Sequence, residues 1–492
     1  MTGPFEAISE ETLGALQKAL TTGVLSSTGV YGYRLDDVVS LVPVVTPFWE
    51  RVPRKASPEG ALNAVWRAIT NVNNQQPSPF VGLDAGGNFI KINEQDVYAP
   101  FLPVRVSGEV TRDAIDLARG YADPKVVASF QTLMQWRILD AKALLAGGQN
   151  FALPTISAPT LTTATTGGTI NTGTTLYVEV AARSGYNFYW GGSGVASASA
   201  NIAVGAGSTN KVTAAVTAVR GAVAYDWYTS TNGSTWYYTT TTTVPTATFT
   251  AVLAAGASVP NIPQLYGTAP SNTPPAADTS YSTNSYNSVL ATLAGSYPSA
   301  AGNLVTYGTG GSTASGATWT DLGGLALTAT AQGIAELDAL NANIYNAAQL
   351  SPTVYVVSPQ EATNIGSKIL ATNAAVTYLQ PANGRTGIEG GGQVGSYVNR
   401  TTGDRIEILT DPNQPTGTLL ALTERIPYPS SGIANTFEVS TLREVSEFPY
   451  AATLTPGGAG SGPRDLWSTD SLETVINRAP VACGWISGIA NG

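Results

Sequence analysis

The stretch Ser351–Gly366, "SPTVYVVSPQEATNIG", runs a strand straight into a helix start. Thr353–Val357 has the β-branched and aromatic composition of a strand. Ser358 then supplies an N-cap hydroxyl, and Pro359 fits the first helical position, where its missing N–H costs nothing. Glu361 falls three residues after the cap and completes a capping box. Further on, "GDRIEILTDPNQPTGTLLALTERIPY" (403–428) reads as two strands around a turn at Pro412–Pro415. "LETVINRAPVACGWISGI" (472–489) reads as part of one apolar terminal strand. Between them, the glycine-rich segment 384–397 reads as a mobile loop.

Working back toward the N-terminus, a helical pattern begins at Thr328, with Ile334, Leu337, Leu340, Ile344 and Tyr345 on one face. It follows a Ser/Thr/Gly/Pro-rich linker at 264–327. From about 154 to 263 charges nearly vanish, and Thr, Gly, Ala and Ser dominate. The runs "LYVEVAAR", "KVTAAVTAV", "AYDWYT" and "WYYTTTTT" read as strands, with Asn232-Gly233 as a type I′ hairpin signal. Short strands at this spacing predict a β-sandwich, inserted as a separate domain where its two ends meet.

The front of the chain contains the clearest helix. Asp123 caps it, Pro124 opens it, apolar residues from Val126 to Leu145 follow at three-four spacing, and Gly147-Gly148 ends it. Before it, 61–70 and 96–111 both alternate with period two and predict a long two-stranded finger with a flexible tip. An isolated ribbon is marginal in water, so a long one needs a neighbour to pack on. Residues 1–55 read as an arm with a short helix (Leu13, Leu16, Leu20), broken near its end by Pro43, Pro47 and Pro53.

Composition removes several function classes. The 492-residue length suits about three domains. The chain has no His and a single cysteine, Cys483. That excludes His-based acid–base and nucleophilic catalysis, an intramolecular disulfide and a Cys/His metal site. A net charge of −9, without Lys/Arg runs, disfavours a nucleic-acid grip. No stretch has the length and apolarity of a membrane span or signal peptide, so a soluble, non-exported chain is expected. Carboxylate pairs such as Asp113/Asp116 and Glu444/Glu447 read as solvated charge, and Glu389 with its glycines lacks the phosphate-loop spacing. No catalytic, cofactor or metal residues are expected.

Taken in order, these segments resemble the major capsid proteins of tailed phages with the Hong Kong 97 fold. Val354–Glu361 matches the family's strand ending in a capped helix, Pro415–Leu420 its Pro-Gly-Thr turn before a strand, and Val475–Ile486 its apolar terminal strand. The resemblance implies an α+β chain: an N-terminal arm at 1–55, an extended hairpin (E-loop) at 56–111, and a peripheral domain with a spine helix at 112–153. A mainly axial domain at 264–445 and peripheral C-terminal strands at 446–492 complete it. The insertion at 154–263 resembles immunoglobulin- or fibronectin-type domains through "TAVRGAVAYDWYTSTNGSTWY" (217–237).

The implied function is a self-assembling icosahedral head shell of pentamers and hexamers around double-stranded DNA, bound without sequence specificity. An outward-facing decoration domain, a separate scaffolding protein, a portal and a minor or decoration protein are implied with it. The implied location is the virion, with assembly in the host cytoplasm. Candidate inter-subunit contacts are Trp49, Arg51, Trp66, Arg67, Lys91, Glu94, Asp96 and Arg105. Lys91 is also the one candidate for a cross-link, though a solvated Lys beside Glu94 and Asp96 is the plainer reading. Candidate glycan-contacting aromatics are Trp190, Trp227, Trp236 and Tyr237, against the plainer reading of sandwich core and scattered surface rings. The alternative function is a phage tail or surface adhesin, which predicts more β-repeats and no spine helix.

Overall fold

A computed structural model describes residues 45–57, 60, 62–72, 80, 82–84, 92–117, 123–253, 272–294, 317–331, 333–370, 394–425, 435–450 and 464–490. The arm helix at 10–20, Lys91 and most of the 384–397 loop lie outside them. The described elements begin with α1 (Pro47–Arg51), β1 (Arg54–Ala56), β2 (Asn63–Val72), β3 (Ile92–Pro100), β4 (Leu102–Thr111), α2 (Arg112–Leu117) and α3 (Pro124–Lys142). Strands β5 (Thr160–Ala164) and β6 (Thr175–Ser184), helix α4 (Gly185–Trp190), and strands β7 (Ala200–Ala203), β8 (Lys211–Ala215), β9 (Ala222–Ser230), β10 (Tyr237–Thr242) and β11 (Thr246–Phe249) follow. Next come α5 (Val289–Ala294), β12 (Thr318–Asp321), β13 (Ala329–Thr330), β14 (Gly333–Ile334), α6 (Ala335–Ala348), β15 (Val354–Val357) and α7 (Pro359–Leu370). The chain closes with β16 (Ser396–Val398), β17 (Arg405–Thr410), β18 (Leu419–Leu422), β19 (Phe437–Tyr450), β20 (Arg464–Asn477) and β21 (Gly484–Ser487).

The fold is mixed α and β, in two compact units. One holds Pro103–Leu139 and Arg443–Ser471; the other holds Thr46–Leu102, Asp140–Leu442 and Leu472–Gly492. In the smaller unit the α3 segment lies on β4 and the ends of β19 and β20. Trp136 is buried and donates its indole N–H to the Val104 carbonyl. A Cβ on Gly108 would stand 2.6 Å from the Trp467 ring and 2.7 Å from Thr132 Oγ1, so only glycine lets these elements close.

The larger unit is built around a six-stranded sheet of order β12-β21-β18-β15-β17-β16. Ile334, Leu337, Leu340 and Ile344 of α6, and Ile365 of α7, bury their side chains against Tyr355, Val357, Ile406, Leu419 and Ile486. The capping segment behaves as its sequence predicts, with Glu361 N–H donating to Ser358 Oγ. The Glu361 side chain reaches elsewhere. It is fully buried, accepts from the Gly417 N–H (3.1 Å) and Asn364 Nδ2 (3.0 Å), and so ties the helix start to the Pro415–Thr418 turn. Burial raises its pKa.

Three sequence expectations change. The terminal segment is two strands: Pro480 opens a 3-10 turn after β20, and β21 leaves for the six-stranded sheet, pairing with β12 and β18. The finger's second side is also split. β2 pairs with β3, Asn63 opposite Pro100 and Val72 opposite Ile92, whereas β4 belongs to a different sheet beyond Phe101. Pro100 and Pro103 flank that break, and each lacks the N–H a continuous ladder would use. The helix ended by Gly147-Gly148 relaxes into a π-turn, Ala143–Gly147, before stopping.

Residues 160–249 form two sheets, β10-β9-β6-β7 and β11-β8-β5, around Trp227, Leu176, Val178, Val180, Val212 and Phe249. The Asn232-Gly233 turn is not type I′, because positive φ occurs at Gly233 and not at Asn232. Instead Asn232 Oδ1 accepts from the N–H groups of Ser234 and Thr235, an Asx-type loop. On the other face of the β6–β9 pair, away from that core, Arg183 and Asp226 make a buried ion pair of 2.6 Å, with Thr241 Oγ1 also donating to Asp226. Asp226 is therefore a buried ion-pair partner in a stretch with almost no other charge.

The sandwich is stitched to the rest of its unit. Arg220 donates to the carbonyls of Leu293, Ala294 and Ala317 at 2.9–3.0 Å. Gly185, at the start of α4, sits so close to the π-turn that a Cβ would stand 1.7 Å from the Ala146 carbonyl oxygen. We expect Gly185→Ala to destabilise the chain by about 3 kcal/mol, the upper end for overpacking, with the loss read by denaturant unfolding. A cost near zero would mean this contact is not tight.

Candidate assembly surfaces

The ribbon β2–β3 is two-faced. Ala64, Trp66, Val97 and Phe101 are buried and pack with Leu442, Leu472 and Ile476. The opposite face shows Val65 at 64% exposure; Leu62, just ahead of β2, is 86% exposed, and the connection carries exposed Phe80 and Leu83. Strict alternation in β2 produces this split, because neighbouring side chains of a strand point to opposite faces. Among the described residues no third strand joins the ribbon's edges, and Val65 on its second face stays in solvent. In the smaller unit α3 shows a second such face: Val126, Phe130 and Leu133, at helical spacing, are 64%, 52% and 39% exposed.

The candidate contact residues fall into distinct places. Trp66 is a correction: it is buried in the ribbon's own core, with 8% exposure, and does not face a neighbour. Arg67 stands opposite Asp96 in the register, and Glu94 opposite Ile69. Arg105 donates to the buried carboxylate of Asp470, as does Arg443, each at 2.8 Å. Arg51 bridges Glu424 and Glu407, the latter at 2.6 Å, and both carboxylates raise its pKa against the opposing effect of burial. Trp49 donates its indole N–H to Asp140 and lies under the Arg54 guanidinium, 4.3 Å from ring centroid to Cζ. The polar groups of Trp49, Arg51 and Arg105 thus have partners within their own chain.

Trp49 leads into a cluster that sequence reading missed. Asp140 and Glu473 are both buried. Arg54 donates Nη2 to Asp140 and Nη1 to Glu473, both at 2.6 Å, and Tyr286 Oη donates to the other Asp140 oxygen at 2.8 Å. Burial pushes the Glu473 carboxyl well above the usual carboxylate range, and the neighbouring Asp140 adds to it against the pull of Arg54. The residues come from α1, β1, the end of α3, β20 and the segment before α5. Their separation along the chain left no local motif to read.

The glycan candidates do not form one platform. Trp227 is a correction: it is fully buried in the sandwich core and donates its indole N–H to Thr242 Oγ1 at 2.8 Å. Trp190 is 39% exposed and packs on Tyr186 and Tyr189. Trp236 packs with Tyr228 and Tyr238, and Tyr237 is half-buried in β10. Among the described residues no helix is long and apolar enough to cross a membrane, and no group of acidic or sulfur ligands is arranged to hold a metal ion.

No protein-family model matches the sequence, and no curated protein does. Solved structures similar to it are shell proteins. The capsid of cyanophage A-1(L) aligns with TM-score 0.47 and 8% identity over 94% of this chain and 98% of that one. The capsid of Myoviridae phage XM1 aligns with TM-score 0.40 and 6% identity over 95% and 100%. An encapsulin complex from Synechococcus elongatus aligns with TM-score 0.38 and 8% identity over 93% and 93%.

Removing the cation of the buried cluster would leave its carboxylates uncompensated. We expect Arg54→Met to cost about 3 kcal/mol, the low end for breaking a buried ion pair, measured by denaturant unfolding. A cost below about 1 kcal/mol, typical of an exposed pair, would show that solvent already screens the cluster.

Proposed function

We propose that this chain is a shell-forming structural protein: the major capsid protein of a tailed phage. One observation carries the reading. The ribbon β2–β3 has nine- and ten-residue strands, no third strand among the described residues, and an exposed Val65 opposite a packed face. A two-stranded ribbon of this kind is not self-sufficient in water, and a second copy of the chain supplies the missing surface. The exposed stripe of α3 makes the same demand. The order of arm, ribbon, long helix, sheet and terminal strand also follows the resemblance drawn from the sequence.

In this reading the copies form pentamers and hexamers, close into an icosahedral head and enclose double-stranded DNA. A separate scaffolding protein and a portal assist. Residues 1–55 act as the arm, 56–111 as the extended loop, 112–153 and 446–492 as the peripheral region and 264–445 as the axial region. Residues 154–263 form an immunoglobulin-like domain on the outside of the shell. The net charge of −9 suits an inner wall that does not hold the packaged polyanion.

Electron microscopy of the full-length chain, alone and co-expressed with its scaffolding protein, tests this. Closed hollow particles are expected. Val65→Glu should leave unfolding within about 0.5 kcal/mol of the parent, as for other surface changes, while abolishing particles. Particles formed equally well by the Val65→Glu chain would overturn the role given to the ribbon. Elongated monomers or trimers under both conditions would overturn the shell itself.

A further inference from the structure

The Asp140–Glu473 cluster presents a charge imbalance that the shell reading does not use. Two buried carboxyl groups meet the same guanidinium, one on each terminal nitrogen of Arg54. The other groups facing them are neutral donors: Tyr286 Oη and the Trp49 indole N–H, both on Asp140. The nearby cations are committed elsewhere. Arg51 bridges Glu407 and Glu424, and Lys142 lies 5.6 Å from the Tyr189 ring centroid. Among the described residues, Arg54 is thus the one cation bonded to Asp140 and Glu473. Glu473 Oε1 is buried without a donor from any other residue. A proton on the carboxyl pair brings the cluster to neutrality.

We propose that this pair is a proton-operated latch on the segment 46–56, which joins the N-terminal arm to the ribbon. Arg54 and Trp49, both on that segment, are what the carboxyl pair grips. With the proton in place the grip is charge-balanced and the segment is held against the end of α3 and β20. When the segment lifts, water reaches Glu473, which releases its proton to solvent as an ordinary carboxylic acid does. Opening therefore expels one proton.

The sign follows from the raised affinity of Glu473 for its proton in the closed state. Closure is fully favoured below the ordinary glutamate range and weakens as pH rises toward the higher value Glu473 has in the closed state. Between those limits the opened population grows about tenfold per pH unit; above them it levels off. Alkali, not acid, loosens the latch.

Hydrogen–deuterium exchange on the full-length unassembled chain, from about pH 5 to about pH 9 and corrected for intrinsic exchange, reads this directly. Amides of 46–56 should lose protection with rising pH at up to about tenfold per unit, while α6 and β15 in the same unit keep theirs. Glu473→Gln, whose neutral amide keeps a donor toward Asp140, should flatten the dependence. An equal pH slope in parent and variant, or no slope in the parent, would overturn the latch. Infrared spectroscopy of the parent protein covers the case of a variant that does not fold. A protonated carboxyl band that shifts on isotopic labelling of glutamate, persists above the ordinary carboxylate range and survives Glu361→Gln supports the proton on Glu473; its absence there refutes it.

Discussion

A two-stranded ribbon has two faces and no thickness, and that constraint governs the chain. Folding buries one face of β2–β3 on Leu442, Leu472 and Ile476. Nothing described in the same unit covers the other. Alternation in β2 makes the consequence unavoidable, because each inward Ala64 or Trp66 forces an outward Asn63 or Val65. A second layer packed on that face would bury it and leave a self-contained protein. In the proposed reading, a ribbon left with one open face has its stabilisation completed by association with another copy.

The elements that bear the ribbon are correspondingly over-determined. β20 runs from the smaller unit into the larger and carries Leu472 and Ile476 under the ribbon and Glu473 toward the buried carboxyl pair. Arg54 and Trp49 fix the segment before the ribbon to that pair. Phe48 reinforces it by donating its N–H to the buried Asp411 carboxylate at 3.1 Å. The ribbon thus leaves a base held by charge and by packing, and a loss at the base reaches the ribbon through covalent continuity.

Much of this was legible in the sequence because it is local. The capped helix at Ser358–Glu361, the Pro124 helix start and the period-two runs of the ribbon and sandwich each announce themselves within a dozen residues. What failed was non-local or set by backbone detail. The break between β3 and β4 depended on which sheet each half joins, and β21 left its expected strand for the six-stranded sheet through the Pro480 turn. Alternating aromatics in β9 left Trp227 open to a glycan reading beside the plainer one of sandwich core, and the whole strand is buried on both faces. The Asp140–Glu473 pair joins residues far apart in the chain, and each alone reads as ordinary surface charge. Composition could exclude histidine chemistry; it could not find a carboxyl pair made by tertiary structure.

The central claim is that the ribbon completes its burial on another copy of the chain. Hydrogen exchange of 63–72 and 92–100, compared between assembled particles and the same chain dissociated from them, tests it most directly. Strong protection in particles and loss of that protection on dissociation are expected, while β15 and β18 stay protected in both. Equal protection in both states would mean that the ribbon is stable alone, and its open face could then not be what drives the copies together.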